Sequence, residues 1–137
     1  MWIDRFKISE IMTIQRKFDK LPEYCQFEKN INLLKNKWTI YIIRDIIIGK
    51  SYFSEFKEDK PELSNKVLSQ RLKELEDNKI IEKIVDENET SYHLTERGER
   101  LRNIIYELAI FNIEESGYGE KEIEKIKKEL CQLKEKE

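Results

Sequence analysis

The stretch from Ser64 to Asn78 concentrates hydrogen-bonding side chains: Ser64, Asn65, Lys66, Ser69, Gln70, Arg71 and Lys73. Leu68, Leu72 and Leu75 interleave with them at steps of four and three. Set at the buried centre of a 3.6-residue wheel, the leucines put Lys66, Gln70, Lys73 and Asp77 on the opposite side, with Ser69 at the flank. Amide and ammonium donors on a helix anchored by apolar residues suit one chemistry. They hydrogen-bond base edges and phosphates in the major groove of double-stranded DNA. In that reading Lys66 and Gln70 address base edges, and Ser69 and Lys73 address phosphate or sugar. Asn65, in the first turn, reaches a base or a backbone oxygen, and Ser64 and Arg71 complete the candidate DNA-binding set. Any amphipathic surface helix shows such residues outside, so the neighbouring elements have to decide between the two readings.

Other chemistry is thinly represented. Cys25 is a candidate redox sensor: it precedes a helix, and Lys29 lies one turn on, which are the conditions that lower a thiol pKa. The alternative is an inert, partly buried thiol. His93 alternates with Tyr92 and Leu94, so it faces away from them, in a surface or strand-pairing role. One histidine and two distant cysteines, Cys25 and Cys131, make no metal site. Gly49, Gly98, Gly117 and Gly119 stand too far apart for a phosphate loop, and no nucleophile–base set is suggested. The sequence therefore points away from an enzyme and calls for no cofactor.

The elements around Ser64–Asn78 follow from periodicity. Ile11, Ile14, Phe18 and Leu21 form a helical stripe that Pro22 ends. A second helix covers Glu28 to Leu34, with Phe27, Ile31 and Leu34 inward. A third starts near Trp38, is apolar nearly all round, and stops at Gly49. Ser51 is the expected N-cap of a short helix that turns Phe53 and Phe56 to the core. Pro61-Glu62-Leu63 makes the turn, and Ser64 caps the next helix. Ile80–Val85 and Ser91–Thr95 flank an acidic tip and read as a β-hairpin. Thr95 caps a helix carrying Leu101, Ile104, Ile105, Leu108 and Phe111. A last helix repeats Ile123, Ile126, Leu130 and Leu133 with heptad spacing. A hairpin directly after the second helix of a helix-turn-helix is the winged-helix arrangement, and it favours the DNA reading of Ser64–Asn78.

Charge permits that reading without demanding it. The net charge is −2, yet residues 1–79 hold 16 basic against 13 acidic groups, and residues 80–137 hold 10 against 15. A local positive face, not the total, governs non-specific DNA binding. No apolar run reaches the roughly 18 residues of a membrane span. The charged N-terminus does not resemble a signal peptide. Few cysteines suit a reducing compartment, so a cytoplasmic location is expected.

Several segments resemble the HxlR-type winged-helix regulators, relatives of the MarR group. The similarity runs from Cys25 through Leu33-Leu34-Lys35-Asn36-Lys37-Trp38-Thr39, Ile43-Arg44-Asp45, Gly49 and Phe53-Ser54-Glu55. It is strongest over Leu63-Ser-Asn-Lys-Val-Leu-Ser-Gln-Arg-Leu-Lys-Glu-Leu-Glu76 and closes with Tyr92-His-Leu-Thr-Glu-Arg-Gly98. It implies a homodimer joined by terminal helices, two recognition helices on a palindromic site near a promoter, and, in some members, an oxidant-sensing cysteine at the position of Cys25. Three features depart from the pattern. Asn78-Lys79 stands where a glycine is usual, and Asn78 is the expected left-handed cap. The wing is short, lacks a proline pair, and has the acidic tip Asp86-Glu87-Asn88-Glu89. Gln26 replaces the proline usual after the cysteine.

The expected fold is mainly α with a small β-hairpin: a winged helix-turn-helix with extra N- and C-terminal dimerisation helices. Residues 1–24 and 102–137 are assigned to dimerisation and 25–101 to DNA binding. The expected function is sequence-specific transcription regulation by a homodimer on a palindromic operator. The alternative is a winged helix kept for protein–protein association alone. A small-molecule effector is unidentified, although Trp38, Tyr41 and Phe53 are candidates to line a pocket.

Overall fold

The computed structural model describes residues 10–17 and 27–134. Phe18, Leu21, Pro22 and Cys25 lie outside the described residues. The chain divides into two units, residues 1–35 and residues 36–137.

In the first unit, residues 10–17 are helical (α1) and expose Ile11, Met12 and Ile14. Phe27–Leu34 form α2. Phe27 and Ile31 were expected inward but are 54% and 50% exposed, and Leu34 is half-buried.

The second unit opens with α3, Lys37–Ile47, whose first turn is held by Asn36: its Oδ1 accepts the Trp38 N–H at 2.9 Å. The helix buries Thr39, Ile42, Ile43, Asp45 and Ile47, while Tyr41 is exposed and Trp38 half-buried. It is a one-faced helix, not one apolar all round. Gly49 ends it as expected, at φ +109°, with the Gly49 N–H on the Ile46 carbonyl and the Lys50 N–H on that of Asp45.

Helix α4, Phe53–Lys57, starts one residue later than expected, with Tyr52 at the N-cap position in place of Ser51. The Glu55 carboxylate reaches back to accept the N–H groups of Ser51 at 3.1 Å and Tyr52 at 2.9 Å. Those two bonds hold the Glu55 pKa below its ordinary value. Phe56 is fully buried and meets the Tyr92 ring edge-on at 6.3 Å; Phe53 is half-buried.

Helix α5, Asn65–Asp77, buries Leu68, Leu72 and Leu75, each at most 2% exposed. Its C-terminus corrects the expected cap. Asn78 keeps φ −86°, and Lys79 takes the left-handed conformation at φ +60°. The Lys79 N–H bonds the Glu76 carbonyl and the Ile80 N–H bonds that of Leu75, the two-bond motif usually built on glycine.

Strands β1, Ile81–Val85, and β2, Thr90–Leu94, pair antiparallel with Ile81 opposite Leu94 and Val85 opposite Thr90. Tyr52 adds an isolated bridge to Ser91 on the other edge of β2. Ile81 and Leu94 face the core, and His93 is exposed as expected.

The expected single helix after Thr95 is two: α6, Glu96–Glu99, and α7, Arg102–Ile110. Thr95 does cap α6, its Oγ1 accepting the Gly98 N–H at 3.0 Å. Gly98 is buried there, and a Cβ on it would lie 2.1 Å from the Ile80 carbonyl oxygen. Only glycine allows α6 to approach the root of the wing this closely. Helix α7 turns Ile105 and Tyr106 inward but leaves Ile104, Leu108 and Phe111 at 45%, 56% and 77% exposed.

Helix α8, Glu120–Cys131, and the 3-10 turn Gln132–Lys134 pack back on α7. Arg102 Nη1 donates to the Leu133 carbonyl at 3.1 Å, and the Lys134 ammonium lies 4.1 Å over the Tyr106 ring. The heptad residues Ile123, Ile126, Leu130 and Leu133 are half-buried by this packing. The order from α3 to β2 is that of a winged helix-turn-helix.

Candidate nucleic-acid interface

The site is the outward face of α5, and its foundation is the turn before it. The Leu63 N–H bonds the Lys60 carbonyl at 3.0 Å, and Leu63 is buried. Ser64 then caps the helix, its Oγ accepting the Val67 N–H at 3.1 Å. The turn is tied to α3 by charge. Asp45 is fully buried, and Lys60 is 6% exposed. The Lys60 ammonium hydrogen-bonds the Asp45 carboxylate, Asp59 Oδ1 at 2.9 Å and the Phe56 carbonyl at 3.1 Å. Arg44 Nη2 takes the other Asp45 oxygen at 2.9 Å. Burial works against the Lys60 ammonium, but the bonds to Asp45 and Asp59 outweigh it and raise its pKa. The same Lys60 bond holds the Asp59 carboxyl at about 2. A buried pair with all its partners in place fixes geometry more than it adds stability. Here it fixes where α5 begins.

Lys66, Ser69, Gln70, Lys73 and Asp77 are exposed together on α5, opposite the leucines. Lys66, Ser69 and Gln70 make no side-chain hydrogen bond or ion pair among the described residues. Lys73 sits 3.7 Å from Asp77, with both side chains more than half exposed. Such a surface pair is worth little and yields easily to a phosphate. Asn65 is exposed, and its Oδ1 accepts from the Lys57 ammonium of α4. That brings to the site a cation that the sequence does not reveal. Only the α4–α5 packing shows it, since residues eight apart across a turn carry no spacing signal.

Arg71 stands apart from the others. It is half-buried and pairs with Glu74 at 2.9 Å, turned toward the flank of the helix. Its i,i+3 spacing to Glu74 was the available signal.

The wing presents the acidic tip that the sequence shows. Asp86, Glu87 and Glu89 are exposed, and the turn is closed by the Asp86 N–H on the Glu89 carbonyl at 2.8 Å. Glu89 also accepts from the Tyr52 hydroxyl at 3.3 Å, and its charge raises the Tyr52 pKa. Carboxylates at this tip repel phosphate. Among the described residues no group of three or more His, Cys, Asp or Glu side chains is placed to hold a metal ion. None of the described helices is long and apolar enough to cross a membrane.

Known proteins share this geometry. The family model of the HxlR-like helix-turn-helix matches residues 33–120. The HTH-type transcriptional regulator YvaP of Bacillus subtilis is 35% identical over 91 residues, covering 64% of this chain and 84% of its own. YodB, an HTH-type transcriptional regulator of the same organism, is 36% identical over 86 residues, covering 61% of this chain and 77% of its own. Among solved structures, reduced YodB matches with a TM-score of 0.58 at 32% identity, covering 70% of this chain and 97% of that one. The redox regulator HypR in its oxidised form matches with a TM-score of 0.61 at 28% identity, covering 69% and 99%. With the helix-turn-helix, its wing and the residues of α5 all accounted for, the chain belongs to the HxlR-like family of winged-helix transcription regulators.

Proposed function

We propose that this regulator acts in the cytoplasm as a homodimer on an imperfect palindromic operator, with α5 as its recognition helix. The observation that carries this reading is the face of Lys66, Ser69 and Gln70, exposed and without partners among the described residues. Lys66 and Gln70 read base edges in the major groove; Ser69, Lys73 and the Lys57–Asn65 pair address the backbone. Residues 25–101 are the DNA-binding part.

The terminal segments, 1–24 and 102–137, supply the dimer contacts. Support comes from Ile104 and Leu108 on α7 and Phe111 at its C-cap, exposed at i, i+4 and i+7. A contiguous apolar stripe of this kind marks an association surface. Two copies related by a two-fold axis would set recognition helices about 34 Å apart, one helical turn of DNA.

Cys25 is assigned as the thiol through which oxidants or electrophiles alter operator binding. Two similar structures support this, the redox regulator HypR in its oxidised form and YodB with bound quinone, the latter at 35% identity. Loss of binding on diamide treatment, absent in Cys25→Ser, is the expected outcome.

The test of the main reading is selection of genomic fragments by the purified protein at two salt concentrations. Enrichment of a palindrome with half-sites one turn apart is expected. Enrichment of nothing at low salt would overturn DNA recognition and leave protein–protein association as the use of the fold.

A further inference from the structure

We propose that Lys57 determines specificity through Asn65: by holding the Asn65 side-chain oxygen, it withholds that residue from adenine and leaves it a donor only. The inference rests on the reading of α5 as the recognition helix.

The pair is brought together by two fixed helix ends. Asn65 is the first residue of α5 and follows the cap Ser64. Lys57 is the last residue of α4 and follows the fully buried Phe56. Lys57 is half-buried, and Asn65 Oδ1 is its acceptor. No carboxylate pairs with Lys57 among the described residues, so nothing there competes for its ammonium.

The chemistry follows from what each group can do. An ammonium carries three donors and no acceptor. The end of the Asn65 amide that meets Lys57 is therefore the oxygen, and the NH2 group is the end left over. An asparagine reads adenine with two bonds at once, accepting from N6 and donating to N7. Asn65 retains only the donating half. Its complements are acceptors: a phosphate oxygen, O6 or N7 of guanine, or O4 of thymine. The remaining ammonium hydrogens of Lys57 present the same polarity.

Gln70 supplies the contrast within the same helix. It is exposed, and neither end of its amide has a partner among the described residues. It keeps both halves of the adenine pairing. Two amides that look alike in the sequence are thus made unlike by the packing of α4 on α5. An amide of α5 reads adenine beneath Gln70 and not beneath Asn65.

Two measurements on the full chain test this. The first needs no DNA: the Asn65 side-chain carbonyl carbon is followed by NMR. Lys57→Met should move it upfield, as loss of a hydrogen bond to the oxygen requires. Lys57→Arg, which keeps the charge and carries only donors, should hold it near the wild-type position. An unmoved carbon in Lys57→Met would overturn the proposal.

The second is selection from operators randomised across the half-sites, with wild type, Lys57→Met, Lys57→Arg and Lys57→Met/Asn65→Ala. Loss of a cation weakens all sequences alike and leaves base ratios untouched. Release of Oδ1 alters a ratio. Lys57→Met is expected to gain a preference for adenine of roughly tenfold at one position in each half-site, the discrimination of one bidentate pair. The double variant should lose that gain, and Lys57→Arg should select as wild type does. A wild-type preference for adenine that disappears in Asn65→Ala, or a wild-type base pattern in Lys57→Met, would overturn the role of Lys57. No enriched operator, with the carbon shifted in Lys57→Met, would overturn the reading of α5 and with it the base choice, while leaving the bond between Lys57 and Asn65 established.

Discussion

The Lys60 ammonium rests on the Asp45 carboxylate, and neither group is open to water: Asp45 is 0% and Lys60 6% exposed. The two are unequal partners. Asp45 also serves Arg44, whereas Lys60 depends on Asp45 for its only buried countercharge. Asp45→Ala leaves Lys60 with only the exposed Asp59 carboxylate as a countercharge and is expected to cost about 3 kcal/mol in urea unfolding. Lys60→Met leaves Asp45 paired with Arg44 and is expected to cost clearly less. Equal losses would mean that the pair is not the asymmetric tie seen here.

The same groups set limits in pH. Lys60 has its folded pKa raised above the ordinary 10.5, so its contribution is complete below 10.5 and is lost as pH rises through the folded value. Asp59 is lowered from 3.8 to about 2, so its contribution is complete above 3.8 and is lost as pH falls toward 2. Unfolding midpoints measured across pH should be level with respect to these two groups between those limits. In Lys60→Met the alkaline fall should be shallower.

Two backbone positions should respond in opposite directions. Lys79 holds φ +60° with a side chain, at a gross cost of about 1–2 kcal/mol. Glycine removes that cost but gains unfolded-state freedom, so Lys79→Gly should stabilise by about 0.5–1 kcal/mol net. At Gly98 the obstacle is backbone: the Ile80 carbonyl oxygen lies 2.1 Å from where an alanine Cβ would stand, and neither element can give way freely. Gly98→Ala should destabilise by about 3 kcal/mol in thermal or urea unfolding.

Leu108 is 56% exposed on α7, so Leu108→Glu should leave the fold intact while placing charge in the proposed dimer seam. Sedimentation at micromolar concentration should then show a monomer with an unchanged circular dichroism spectrum. A dimer that survives the substitution would move the interface away from α7.

On α5 the exposed residues should separate by role. Lys66→Ala and Gln70→Ala should weaken operator binding and leave the melting temperature alone, since neither side chain has a polar partner among the described residues. Lys73→Ala should weaken all sequences alike and lower the salt slope by about one unit. Arg71→Ala should register mainly in stability, because its guanidinium is engaged by Glu74.

What sequence reasoning could see was local. The step pattern of Leu68, Leu72 and Leu75, the cap at Ser64, the stop at Gly49 and the cap at Thr95 each depend on neighbours within a few residues, and each holds in the structure. The Asp45–Lys60 tie spans 15 positions and exists only once α3 and the turn are packed. The left-handed residue fell on Lys79, not Asn78, because the two-bond helix end places its positive φ one residue past the cap. The side of α7 facing out was likewise hidden: Leu101 through Phe111 offers apolar residues for two faces, and only packing against α3 and α8 chooses Ile105 and Tyr106 for burial. Within the site, exposure of Lys66, Ser69 and Gln70 was legible from the wheel and the i,i+3 spacing to Glu74 signalled the diversion of Arg71, while the arrival of Lys57 was not legible.

The wing is fastened along β2 by the Tyr92 N–H on the Ser51 carbonyl at 2.8 Å, and Ser51 is itself held by Glu55 in the first turn of α4. A two-stranded hairpin has almost no stability of its own. Its persistence is therefore borrowed from the helix-turn-helix, and the two open as one cooperative unit. Slow hydrogen exchange at Tyr92 reports the opening of α4, and the wing has no independent clock.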